Sequence, residues 1–108
     1  MANGILGSAD LAATTYTLVY TVPADTFAVI TAAYTNKNTT SVDVRLAVAK
    51  PGEALPQADD YLEYDTEILS NGALERTGLV LEAGRQVFAR SSAADTAVMV
   101  YGIETATA

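Results

Sequence analysis

Val42-Asp43-Val44-Arg45-Leu46-Ala47-Val48-Ala49 is the stretch that decides the fold. Val42, Val44, Leu46 and Val48 alternate with Asp43, Arg45, Ala47 and Ala49. A strand sends successive side chains to opposite faces, so one face of this segment enters a core while the other carries charge into water. Upstream, residues 16–22 place Tyr16, Leu18 and Tyr20 against threonines and Val19, a β-branched and aromatic run that reads as a strand. Pro23-Ala24-Asp25 ends it, because proline fixes φ and has no N–H for a ladder. Residues 26–35 are apolar on both faces, which places them in the middle of a sheet or at a contact between subunits. The polar turn 36–41 then leads into the Val42 strand, and the two strands are expected to pair as a hairpin.

Downstream, residues 50–60 carry Pro51 and Pro56 and an acidic end, and read as a long exposed loop. In residues 61–69, Leu62, Tyr64, Thr66 and Ile68 share one face, with Glu63, Asp65 and Glu67 opposite. Asn71-Gly72 is a turn dipeptide, since both residues tolerate positive φ. Residues 73–81, 86–91 and 97–104 complete the set, separated by Glu82-Ala83-Gly84 and by the small polar residues 92–96. About seven strands spaced by roughly ten residues, with no long helical pattern, predict an all-β chain: a single antiparallel β-sandwich of jelly-roll or immunoglobulin-like type. A chain of 108 residues supports one core. The expected division is an N-terminal arm over residues 1–15 and the sandwich over 16–108. Gly4 and Gly7 discourage a helix in the first segment, which reads either as a loose terminus or as an extended arm whose Ile5 and Leu6 dock on a neighbouring subunit.

Thirteen acidic side chains against six basic ones give a net charge of −7, which repels phosphate backbones and anionic lipid alike. Neither direct nucleic-acid binding nor membrane binding is expected. No apolar run approaches the roughly twenty residues that cross a bilayer, and residues 1–7 lack a basic segment followed by an apolar one. The chain also has no histidine and no cysteine, the residues that most often supply a group titrating near neutrality, a thiolate nucleophile or a metal ligand. No catalytic residue, metal or cofactor is expected. Asp59, Asp60, Glu63, Asp65 and Glu67 are the densest acidic group, but their spacing departs from the calcium-binding EF-hand loop, and alternate acids on a strand read as a solvated face.

Half the residues are hydrophobic, and much of that half is alanine, which buries little area. Neighbouring chains are therefore expected to supply part of the burial. The interface candidates are Ile5, Leu6, Phe27, Val29, Tyr34, Arg76 and Arg90, the arginines because their fork geometry suits intersubunit ion pairs. The six tyrosines, Tyr16, Tyr20, Tyr34, Tyr61, Tyr64 and Tyr101, read mainly as half-buried packing residues; exposed ones could stack on sugars.

Taken in order, Tyr20-Thr21-Val22-Pro23-Ala24, the strand ending at Asn36, the strand from Val42 to Val48, Leu81-Glu82-Ala83-Gly84 and the closing Tyr101-Gly102-Ile103-Glu104 resemble a group of small virion proteins of tailed bacteriophages. The opening Met1-Ala2-Asn3-Gly4-Ile5-Leu6-Gly7 also resembles starts seen among phage structural proteins, those of cyanobacterial phages included. Many such proteins carry an acid after the turn glycine, where this chain has Arg85. The resemblance implies a non-catalytic β-sandwich made in the host bacterial cytoplasm and built into the particle. The leading expectation is a head decoration or cement subunit that forms a homo-oligomer and contacts the major capsid protein. A tail, baseplate or fibre component is the alternative, and a host-glycan-binding module is a reading of a different class.

Overall fold

In the computed structural model, which describes residues 3–107, eight strands form. They are β1 (Asn3–Leu11), β2 (Thr17–Thr21), β3 (Thr26–Asn36), β4 (Val42–Ala49), β5 (Tyr61–Ile68), β6 (Ala73–Leu81), β7 (Gln86–Ser91) and β8 (Thr96–Ala106). Two four-stranded antiparallel sheets result, ordered β1-β8-β3-β6 (sheet A) and β2-β7-β4-β5 (sheet B). Of the consecutive strands only β4 and β5 pair; every other connection passes from one sheet to the other, the double Greek-key arrangement of a jelly roll.

Two expectations are corrected. The segment read as an arm is instead strand β1, an edge of sheet A that pairs with β8 from Asn3↔Ile103 to Leu11↔Thr96; residues 1 and 2 lie outside the described residues. Gly4 takes a positive φ of 106° in open space, whereas Gly7 serves close approach. A Cβ on Gly7 would stand 2.2 Å from the Val19 carbonyl oxygen, so only glycine lets β1 close against β2 across the sandwich edge. Nor do β3 and β4 form a hairpin: β3 pairs with β6 and β8, and β4 with β5 and β7. The chain leaving β3 is pinned to its own sheet's end by the bonds Asn36 N to Gly72 O at 2.9 Å and Lys37 N to Asp95 O at 3.0 Å, and it then crosses to sheet B.

Between the sheets, Ile30, Ala32 and Tyr34 of β3, Val42, Val44 and Leu46 of β4, Val87 and Ala89 of β7 and Val98 and Val100 of β8 form the core. Each is at most 2% exposed, so the alternation of β4 is realised, with Asp43 in water. Polar groups tie the layers as well. The Tyr34 hydroxyl donates to the Arg45 carbonyl at 2.7 Å, and the Tyr20 hydroxyl on sheet B donates to the Glu104 carboxylate on sheet A at 2.5 Å. Burial and the Glu104 charge together push the Tyr20 phenol well above its ordinary pKa. At one end Asn36, fully buried, collects the carbonyls of Thr40, Ile68 and Leu69 on its amide nitrogen.

Candidate functional site: the two outer sheet faces

The strands that bury one face must turn the other outward, and on sheet A that outer face carries an apolar ridge. Antiparallel pairing puts partners on the same side, so the register Asn3↔Ile103↔Val29↔Val80 forms one row, Ile5↔Tyr101↔Thr31 the next, and Phe27↔Thr105 lies beyond. Ile5 is 61% exposed, Ile103 51% and Val80 68%, while Val29, Phe27 and Tyr101 are half-buried. Tyr101 donates to Glu75 at 2.8 Å; that bond, with some burial, raises its pKa. Beside this ridge the residues shrink. Ser8, Asp10, Ala33, Thr35, Ala97 and Met99 line a shallow hollow of about 530 Å³. Ridge and hollow share one face.

The outer face of sheet B is built differently. Ala47 and Ala49 of β4 and Phe88 of β7 form a small second core beneath Tyr16 and Tyr61. Here β5 departs from simple alternation: its pairing with β4 shifts between Val44 and Leu46 and again before Ala47, and Asp65 adopts φ 53°. Such bulges re-aim side chains. Tyr64, expected to share a face with Leu62 and Thr66, stands 57% exposed beside Asp65, while Glu63 turns to the sandwich edge and meets Arg76 at 2.7 Å. Arg45 organises the cluster. It grips Asp65 with Nε at 2.7 Å and Nη2 at 3.2 Å, donates to the Tyr16 hydroxyl at 2.9 Å, and lies 4.0 Å over the Tyr64 ring. Arg90 sits 5.6 Å over Tyr16.

The hydroxyls of Tyr16 and Tyr61 are 2.5 Å apart. Burial resists ionisation of Tyr16, but the bonds from Tyr61 and Arg45 outweigh it and bring its pKa below the ordinary value. Tyr61 is pushed up to about 12, by burial first and then by that shared bond. The Arg45 hydrogen bond holds the Asp65 carboxyl below the usual range.

Adjoining this cluster, Pro56, Gln57, Ala58, Tyr61 and Tyr64 line a cleft of about 450 Å³. The loop that forms its wall is exposed, as expected, yet it is braced. Lys50 Nζ bonds Asp59 at 2.8 Å and the buried Asp60 at 2.9 Å, Asp60 accepts from Gln57 N at 2.8 Å, and Gln86 Nε2 donates to the carbonyls of Lys50 and Glu53. Among the described residues, no group of three or more carboxylates is arranged to hold a metal ion.

No family model, curated protein or solved structure matches this chain.

Of the residues singled out from the sequence, Ile5, Phe27 and Val29 come together on the outer face of sheet A. Leu6 turns inward against the core, as strand alternation requires of the residue that follows the outward-facing Ile5. Tyr34 is 1% exposed and belongs to the core, a correction to its reading as a contact residue: β3 is the central strand, and its even-numbered side chains face inward. Arg76 spans the open edge to Glu63, and Arg90 lies on sheet B beside Tyr16. Sequence reasoning missed Val80, Met99 and Ile103, and named Tyr101 only among the six packing tyrosines. The period-two run Met99, Tyr101, Ile103 carried that signal.

Proposed function

We propose that this protein is a structural subunit of a tailed-bacteriophage virion, a head decoration or cement component that assembles with copies of itself through the outer face of sheet A. The observation that carries this reading is the contiguous apolar ridge of Ile5, Val29, Val80, Tyr101 and Ile103 beside a hollow lined by Ser8, Asp10, Ala33, Thr35, Ala97 and Met99. A second copy related by a two-fold axis sets ridge into hollow twice, the self-complementarity that an isologous contact requires. Contiguous apolar surface of this kind marks contact sites on soluble proteins.

Covering the exposed parts of Ile5, Val80 and Ile103 contributes about 3–5 kcal/mol per copy. Association costs about 4–15 kcal/mol in lost freedom. An isolated pair is therefore of modest strength, which suits a subunit held by several neighbours on a particle surface. The acidic surface and the resemblance along residues 16–104 support the same reading.

Light scattering across a concentration range, together with mass spectrometry of purified particles, tests it. Concentration-dependent association and presence in the head fraction are expected. A strictly monomeric protein missing from particles overturns the proposal, and recovery with tails alone replaces the head assignment by the tail one.

A further inference from the structure

We propose that the cleft between the braced loop and the Tyr61–Tyr64 pair binds a neutral saccharide unit. The two rings stand 4.9 Å apart at 88°, forming a corner and not a flat shelf. Tyr64, more than half exposed, is held in place by the Arg45 guanidinium and gives the corner an aromatic surface that does not have to be ordered on binding. Opposite stand Pro56 and the amide of Gln57, whose Nε2 is engaged by the Leu55 carbonyl at 3.2 Å. Among the described residues, the Gln57 Oε1 and the Tyr64 hydroxyl have no hydrogen-bond partner within the protein. A pyranose has this character: an apolar C–H face for an electron-rich ring and a rim of hydroxyls that donate to an amide oxygen and exchange bonds with a phenol. The cleft volume lies in the range of small-ligand sites.

Electrostatics select the neutral class. The cations nearest the cleft are already committed, Arg45 to Asp65 in a two-pronged bond and Lys50 to Asp59 and Asp60. An acidic sugar would find no cation among the residues that line the cleft and would approach a chain of net charge −7. A polyproline peptide, the other usual occupant of tyrosine-lined grooves, needs successive parallel slots, and perpendicular rings supply only one corner. The site lies on sheet B, away from the proposed contact face on sheet A, so the two readings fail separately.

The test uses the whole chain on an array of neutral and acidic oligosaccharides, followed by saturation-transfer NMR of each neutral hit. Binding of at least one neutral sugar with a dissociation constant of about 1 mM or tighter is expected. It should weaken at least tenfold in Tyr64→Ala and in Gln57→Ala and persist in Val80→Glu. Tyr64→Phe separates stacking from the hydroxyl, and thermal melts establish that each variant is folded. Absence of any neutral hit overturns the proposal, as does recognition confined to acidic sugars, or binding unchanged in both Tyr64→Ala and Gln57→Ala.

Discussion

Replacing Asn36 asks how much one buried amide contributes to closing the end of a sandwich. The side chain is fully buried, and its Nδ2 donates toward Thr40 O at 2.9 Å, Ile68 O at 3.1 Å and Leu69 O at 3.2 Å. Its Oδ1 accepts from Asn38 N at 2.9 Å and Asn38 Nδ2 at 3.1 Å. Two protons serve three carbonyls, so one bond is shared. Asn36→Ala removes these bonds and leaves the Ile68 carbonyl without this donor. With each bond worth about 0.5–1.5 kcal/mol net and an orphaned buried acceptor costing about 1–3 kcal/mol, the loss should be about 3–4 kcal/mol. Asn36→Asp keeps the shape but aims a second oxygen at three carbonyls, so its carboxyl is expected to have a folded pKa above the unfolded value of about 3.9. The folded state then holds a proton that the unfolded state releases. Stability of this variant is greatest below the unfolded pKa and falls as pH rises toward the folded one, at up to about 1.4 kcal/mol per pH unit. Urea unfolding followed by circular dichroism, at neutral pH and near the unfolded carboxyl pKa, measures both effects. An alanine variant within about 1 kcal/mol of the parent, or an aspartate variant whose stability relative to the parent does not recover on acidification, refutes the assignment of Asn36 as the fastener.

Other perturbations probe other layers. Gly7→Ala drives a methyl into the Val19 carbonyl, and a loss of about 1–3 kcal/mol with faster amide exchange along β1 is expected. Asp60 is burdened by burial, yet the Gln57 N–H and Lys50 bring its pKa below the ordinary carboxylate value. The stabilisation it gives is complete above its unfolded pKa of about 4 and is lost as pH falls through the depressed folded value, so Gln57 amide protection should drop in acid and be pH-independent in Asp60→Asn. Val80→Glu and Ile103→Glu place charge on the apolar ridge; their melting should stay within about 0.5 kcal/mol of the parent while association, read by sedimentation, is abolished.

The sequence reveals most where the two-residue rhythm is cleanest. Val42, Val44 and Leu46 face inward as read, and Asn71 takes the positive φ of 58° that its turn with Gly72 demands. What it conceals depends on contacts far away along the chain. Gly4 and Gly7 look like breakers until the Val19 carbonyl is seen against Gly7. Asn36 looks like a turn residue until three carbonyls converge on it. Tyr34 and Phe27, seven residues apart on one apolar strand, fall on opposite faces by alternation, and only the packing of the second sheet decides which face is inward. The cluster of Tyr16, Arg45, Tyr64 and Asp65 arises because bulges in β5 shift its register on β4, and local sequence does not report register.

The place of β8 between β1 and β3 has a consequence for biosynthesis. As the chain emerges from the ribosome, β1 and β3 appear early but share no ladder with each other; β1 waits for residues 96–106 altogether, and β3, which can pair with β6 sooner, waits for them on its other edge. Nascent polypeptides halted before Thr96 present two unsatisfied backbone edges at once, the geometry that invites chains on neighbouring ribosomes to stick together. Folding thus waits for β8 and is slow, in the millisecond-to-second regime of long-range strand pairing.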